Sequence, residues 1–99
     1  MTKADIQFIA ELEGIVRARL NENDDDSYTA RLAAAGTRRI AQKVGEEGVE
    51  LALAATSGTQ QEMIDEAADL IYHVIVLLSE RGLSLEDVSR RLETRHAPD

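Results

Sequence analysis

Lys43-Val44-Gly45-Glu46-Glu47-Gly48-Val49-Glu50 and, after a spacer, Glu66-Ala67-Ala68-Asp69-Leu70-Ile71-Tyr72-His73 are the two segments on which the reading of this chain turns. Each carries an acidic pair at i, i+3, Glu47 with Glu50 and Glu66 with Asp69. At 3.6 residues per turn such a pair lies on one face of a helix. Lys43, Glu47 and Glu50 form one stripe, and Ile40, Val44, Leu51 and Ala55 form an apolar stripe beside it. On the second helix Glu62, Glu66, Asp69 and His73 share a stripe, flanked by Met63, Ala67, Leu70, Val74 and Leu77. Packing the apolar stripes together brings the acidic stripes to the edge of the core.

Convergence of like charges calls for a counter-charge, since acidic neighbours on a helix surface repel by roughly 0.2–0.5 kcal/mol per pair. No Lys or Arg occurs between Thr59 and Glu80. The cation must therefore come from outside the second helix, and an all-oxygen carboxylate cluster suits a hard divalent ion such as Mg²⁺ or Mn²⁺. The alternative is an acidic face that is simply solvated, and the residues alone leave both readings open.

Working outward, local punctuation divides the chain into five helices. Thr2 to Leu20 has helical apolar spacing at Ile6, Ile9, Leu12, Ile15, Val16 and Leu20. Asn21 to Asp26 reads as an acidic linker, since the turn glycine and closing glutamate of a calcium loop are missing. Ser27 caps a short helix from Tyr28 to Ala35, and Gly36 stops it. Thr37 caps the third, Arg38 to about Thr56, and Ser57-Gly58 breaks it. Thr59-Gln60-Gln61-Glu62 fits a capping box that opens the fourth, running to Arg81. Gly82 ends it, and Ser84-Leu85-Glu86-Asp87 opens the last, through Arg95, with Pro98 beyond. No segment alternates like a strand. The expectation is one all-α domain over residues 1–99.

Val49 and Leu53 on the third helix, and Ile71 and Ile75 on the fourth, lie off the first apolar stripes. Two apolar flanks predict burial on two sides, the second against another copy of the chain: a helical bundle completed across a homodimer.

Composition narrows the function. The 99 residues contain no cysteine, which excludes disulfides, Cys-ligated zinc and thiol nucleophiles. The net charge of −8 disfavours nucleic acid as a partner. No apolar run is long enough to span a bilayer, and Asp5 and Glu11 interrupt what would be a leader, so a cytoplasmic location is expected, with no membrane partner.

Ser27-Tyr-Thr-Ala-Arg-Leu32, Gly36-Thr37, Ile40-Ala-Gln-Lys-Val-Gly-Glu-Glu47, Glu50 and Glu66 to His73 resemble phosphoribosyl-ATP pyrophosphatase of histidine biosynthesis. That family belongs to the MazG-like all-α nucleotide pyrophosphatases with an E-x-x-E … E-x-x-D signature, and the resemblance runs from about Ser27 to His96. It implies hydrolysis of phosphoribosyl-ATP between its α and β phosphates, giving phosphoribosyl-AMP and pyrophosphate. It implies metal ligands at Glu47, Glu50, Glu66 and Asp69, a further acid at Glu46, a phosphate contact at Lys43, and a dimer. Gly48 departs from the family, which usually has alanine there; glycine costs about 1 kcal/mol in a helix. A fused cyclohydrolase, found in some organisms, would need metal-binding cysteines and more length than this chain has.

The chemistry assigns further candidates. Glu46 or Glu47 is placed to orient or deprotonate the attacking water. Arg38 and Arg39 stand in the first turn of the third helix, where the dipole disfavours cations unless a phosphate is near. His73 continues the acidic stripe as a substrate contact or as a hydrogen-bonded edge residue. Tyr28 and Tyr72 stack on adenine or pack in the core. Three rivals remain: a house-cleaning nucleoside triphosphate pyrophosphatase of the same fold, a non-enzymatic helical dimerisation module, and a di-iron bundle. The last needs two Glu-x-x-His motifs, and only Glu93-Thr94-Arg95-His96 fits.

Overall fold

The computed structural model describes residues 5–21 and 27–98. Five helices follow in order among them: α1 (Gln7–Leu20), α2 (Tyr28–Ala35), α3 (Thr37–Ser57), α4 (Gln60–Glu80) and α5 (Leu85–His96). No strand occurs among these residues, so the all-α class holds. The expected helix start at Thr2 and the linker residues 22–26 lie outside the described residues.

Local chemistry sets most of the boundaries. Among the described residues α1 begins at Gln7, where the Asp5 carboxylate accepts from the Gln7 N–H at 2.9 Å. Ser27 caps α2 by accepting from the Ala30 N–H. Gly36 ends α2 and starts α3 within one residue, at φ 95°, a left-handed backbone that a side chain would strain. The sequence reading made Thr37 the cap of α3. Gly36 holds that position instead, and the Thr37 hydroxyl donates to the Glu80 carboxylate, tying the start of α3 to the end of α4. The two predicted capping boxes, Thr59 with Glu62 and Ser84 with Asp87, are both formed.

α3 and α4 form an antiparallel hairpin with the most extensive packing in the chain; α1 lies on α4, and α2 bridges α1 and α3. Val16, Leu32, Ile40, Ile75 and Val76 make the core, one or two from each of the first four helices. Ile75, expected on the outer flank of α4, is wholly buried, while Met63, expected on the inner stripe, is exposed. The reason is that α4 packs against α1 as well as α3, and α2 bonds to it at Tyr72 and His73, so its buried face is wider than one stripe. Ala55 is exposed too, and Ala54 takes its place facing inward. α5 docks through Leu85, whose N–H donates to Glu13 of α1 at 2.7 Å. Val49 (60 % exposed), Leu53 (58 %) and Ile64 (59 %) remain on the outer faces of the hairpin. No helix among the described residues is long and apolar enough to cross a membrane.

Candidate metal and phosphate site

The hairpin brings Glu47 to the second acidic pair because Glu47 sits on the inward stripe of α3 with Ile40, and Glu66 on the inward stripe of α4 with Leu70. One carboxylate oxygen from each of Glu47, Glu66 and Asp69 lies within 4.8 Å of the others. Glu47 is buried, Glu66 half-buried and Asp69 exposed, so the cluster opens from the core edge to solvent. Glu47 Oε2 and Glu66 Oε2 are buried without a hydrogen-bond partner. Buried carboxylate oxygens left unpartnered are costly. At 4.8 Å and an effective dielectric of about 20, Glu47 and Glu66 repel by roughly 3.5 kcal/mol if both are ionised.

Lys43 supplies the cation that α4 lacks. Its Nζ is 3.5 Å from Glu47 and 3.6 Å from Glu46. Burial pulls the Lys43 pKa down, but the electrostatic pull of Tyr28, Glu47 and Glu46 and the hydrogen bond to Glu47 outweigh it, and the pKa ends above its ordinary value. One ammonium against three converging carboxylates leaves the cluster short of positive charge. The all-oxygen donor set and the two orphaned oxygens fit a hard divalent cation.

The remaining residues fall around this cluster. Glu46 is exposed, and Gln42 donates to its carboxylate at 3.0 Å. That hydrogen bond, with the nearby Lys43 and Arg39 charges, holds its pKa below the ordinary value despite some desolvation. Glu50 is exposed and stands outside the trio; with Glu62 and Glu66 it lines an open groove of about 250 Å³ floored by Leu53, Ala54 and Gly58. Arg38 and Arg39 are exposed in the first turn of α3, which contains no acid.

His73 is buried and has both ring nitrogens engaged: Nδ1 is 2.8 Å from the Asp69 carbonyl and Nε2 is 2.8 Å from the Tyr28 hydroxyl. Tyr28 and Tyr72 stack on each other, centroids 6.2 Å apart, and Tyr72 bonds Thr29. The tyrosines thus pack within the chain. The Tyr28–His73 bond joins residues 45 apart, and no local pattern in the sequence signals it.

Residues 9–96 match the family described as phosphoribosyl-ATP pyrophosphohydrolase. The chain is 57 % identical over 89 residues to a histidine biosynthesis bifunctional protein HisIE of Photobacterium profundum, covering 90 % of this chain and 43 % of that protein. It is 56 % identical over 93 residues to the protein of that name from Campylobacter jejuni, covering 94 % and 45 %. A third, from Vibrio vulnificus, is 53 % identical over 94 residues, covering 95 % and 44 %. The chain thus spans less than half the length of these curated relatives.

Proposed function

The chain belongs to the phosphoribosyl-ATP pyrophosphohydrolase family, and from that premise we propose that it hydrolyses phosphoribosyl-ATP to phosphoribosyl-AMP and pyrophosphate, as a step of histidine biosynthesis. The observation that carries this reading is the convergence of Glu47, Glu66 and Asp69 around two buried, unpartnered carboxylate oxygens. Glu47, Glu66 and Asp69 would hold Mg²⁺ or Mn²⁺, with Glu50 joining from the groove wall. The bound ion would neutralise phosphate charge and polarise the bond to be broken.

The other groups act on substrate and water. Carboxylates alone repel a phosphate chain, so Lys43 provides the direct phosphate contact, and Arg38 and Arg39 meet phosphate groups further out. A water oxygen bonds to phosphorus as the bridging P–O bond breaks, pyrophosphate departs, and the water proton passes to a carboxylate. Glu46 is one candidate for that last role, being exposed and outside the trio. Glu47 is the other candidate.

The outward Val49, Leu53 and Ile64 support a homodimer built on the hairpin's outer face. Sedimentation at micromolar concentration is expected to show a dimer, and Leu53→Glu to shift it toward monomer; an unchanged sedimentation coefficient in that variant would place the contact elsewhere. The net charge of −8 favours a free nucleotide substrate over nucleic acid, and a cytoplasmic setting is consistent with it.

Pyrophosphate release from phosphoribosyl-ATP, ATP and an oxidised nucleoside triphosphate, each with Mg²⁺, tests the assignment. Phosphoribosyl-ATP is expected to be strongly preferred. Preference for the oxidised nucleotide would transfer the chain to the house-cleaning pyrophosphatases.

A further inference from the structure

Asp69 presents a difficulty as a ligand: its side chain is exposed, so packing does not locate it. Its backbone is located from another direction. The Asp69 carbonyl can only accept, so the ring nitrogen 2.8 Å away, His73 Nδ1, carries the proton. In the neutral ring Nε2 is then the acceptor, and the Tyr28 hydroxyl donates to it at 2.8 Å. The ring is held edge-on by both tyrosines, at 88° to Tyr28 and 89° to Tyr72. His73, the middle member of this chain of hydrogen bonds, is 6 % exposed, and burial there strengthens both of its bonds.

We propose that Tyr28 and His73 are positioning residues for the metal site: through them the first turn of α2 fixes the turn of α4 from Asp69 to His73, and with it the angle at which the Asp69 carboxylate meets Glu47 and Glu66. This rests on the metal-site reading above. α2 is a firm anchor for the purpose, because Ser27 caps it immediately before Tyr28 and Leu32 is buried in the core. A second bond between the same helices, Thr29 to Tyr72, attaches α2 to α4 without touching Asp69. The two bonds therefore share a structural task, but only the Tyr28–His73 path ends on the backbone of a ligand residue. Partners that orient ligands from behind typically change metal affinity or activity about 10- to 100-fold when lost.

The difference between the paths supplies the test. Tyr28→Phe removes the hydroxyl and keeps the ring stack; Thr29→Val removes the other bond and keeps the volume. Mn²⁺ binding is measured by calorimetry on the metal-free proteins, and the melting temperature without metal is recorded beside it. Both variants are expected to melt lower, but Tyr28→Phe is expected to weaken Mn²⁺ about 10-fold while Thr29→Val changes it by less than about twofold. Equal weakening in both would show general loosening and overturn the proposal. So would wild-type affinity in Tyr28→Phe, with the metal-site reading left standing. Absence of Mn²⁺ binding by the wild-type protein would overturn both together.

Discussion

Replacing Asp69 by Asn separates charge from structure in the acidic cluster. The amide keeps the size of the side chain, and the backbone carbonyl that receives His73 is unaffected. Asp69 lies within 4.8 Å of Glu47 and Glu66 but is exposed, so each repulsion is closer to its value in water, a little under about 1 kcal/mol. Removing both is expected to stabilise the metal-free protein by about 1.7 kcal/mol, or roughly 7–14 °C in melting temperature for a domain of this size. Activity is expected to move the other way. Losing one charge that anchors a hard cation should lower turnover of phosphoribosyl-ATP by about 10²- to 10³-fold, the scale of one lost electrostatic stabiliser. Mg²⁺ is expected to raise the melting temperature of the wild type, by about 2.7 kcal/mol of stability at a hundredfold excess over its dissociation constant, and to do little for the variant. Sodium at matched ionic strength controls for screening. Asp65→Asn is the companion: Asp65 is exposed on the same helix, outside the cluster, and its loss should change neither property much. Calorimetry and pyrophosphate release read all three proteins. If Asp69→Asn retains near-normal turnover and the Mg²⁺ response, Asp69 is not a ligand and the cluster is a solvated acidic face.

Two other outcomes concern stability. Hydrogen bonds from the Thr59 backbone and side chain hold the Glu62 pKa below its ordinary 4.5, so the carboxylate's share of the capping box is fully present above about pH 4.5 and is lost as pH falls through the folded value; Thr59→Ala should cost about 1 kcal/mol at pH 7 through the lost cap and only partly flatten the acid limb in urea titrations, since the Thr59 backbone bond remains. A Cβ on Gly48 would meet nothing within 4 Å, so Gly48→Ala is expected to raise stability by about 0.5–1 kcal/mol in thermal melts, and a loss would mean that another chain covers the position.

The helix boundaries were legible because caps and glycines act over three or four residues, the range that a sequence exposes. Gly36, Gly58 and the two capping boxes lie where the sequence places them, within a residue or so. The Glu47, Glu66 and Asp69 cluster was legible for the same reason: helical periodicity within one hairpin sets it. What was hidden depends on distant helices. Ile75 reads as an outer residue until α1 is packed on α4. Thr37 reads as a cap until Glu80 comes within reach of its hydroxyl. Glu50 shares the stripe of Glu47 by periodicity, yet it is exposed and outside the trio. The acid pattern says nothing of Tyr28, whose hydroxyl finds His73 only once α2 is docked.

The tightness of the α3–α4 turn bears on the order of assembly. At Gly58 a Cβ would come within 3.0 Å of the Ala54 carbonyl oxygen, so the chain reverses as closely as its backbone permits. Closure over so short a connection is fast, and contacts local in sequence form ahead of distant ones. The carboxylates of Glu47, Glu66 and Asp69 belong to this one hairpin, whereas the Tyr28–His73 bond joins residues 45 apart and needs α2 docked. The hairpin closes against that charge, with Lys43, Arg38 and Arg39 as the cations that α3 carries. The electrostatic burden thus bears on closing the hairpin as well as on the finished structure, and a divalent ion held by both helices would relieve it.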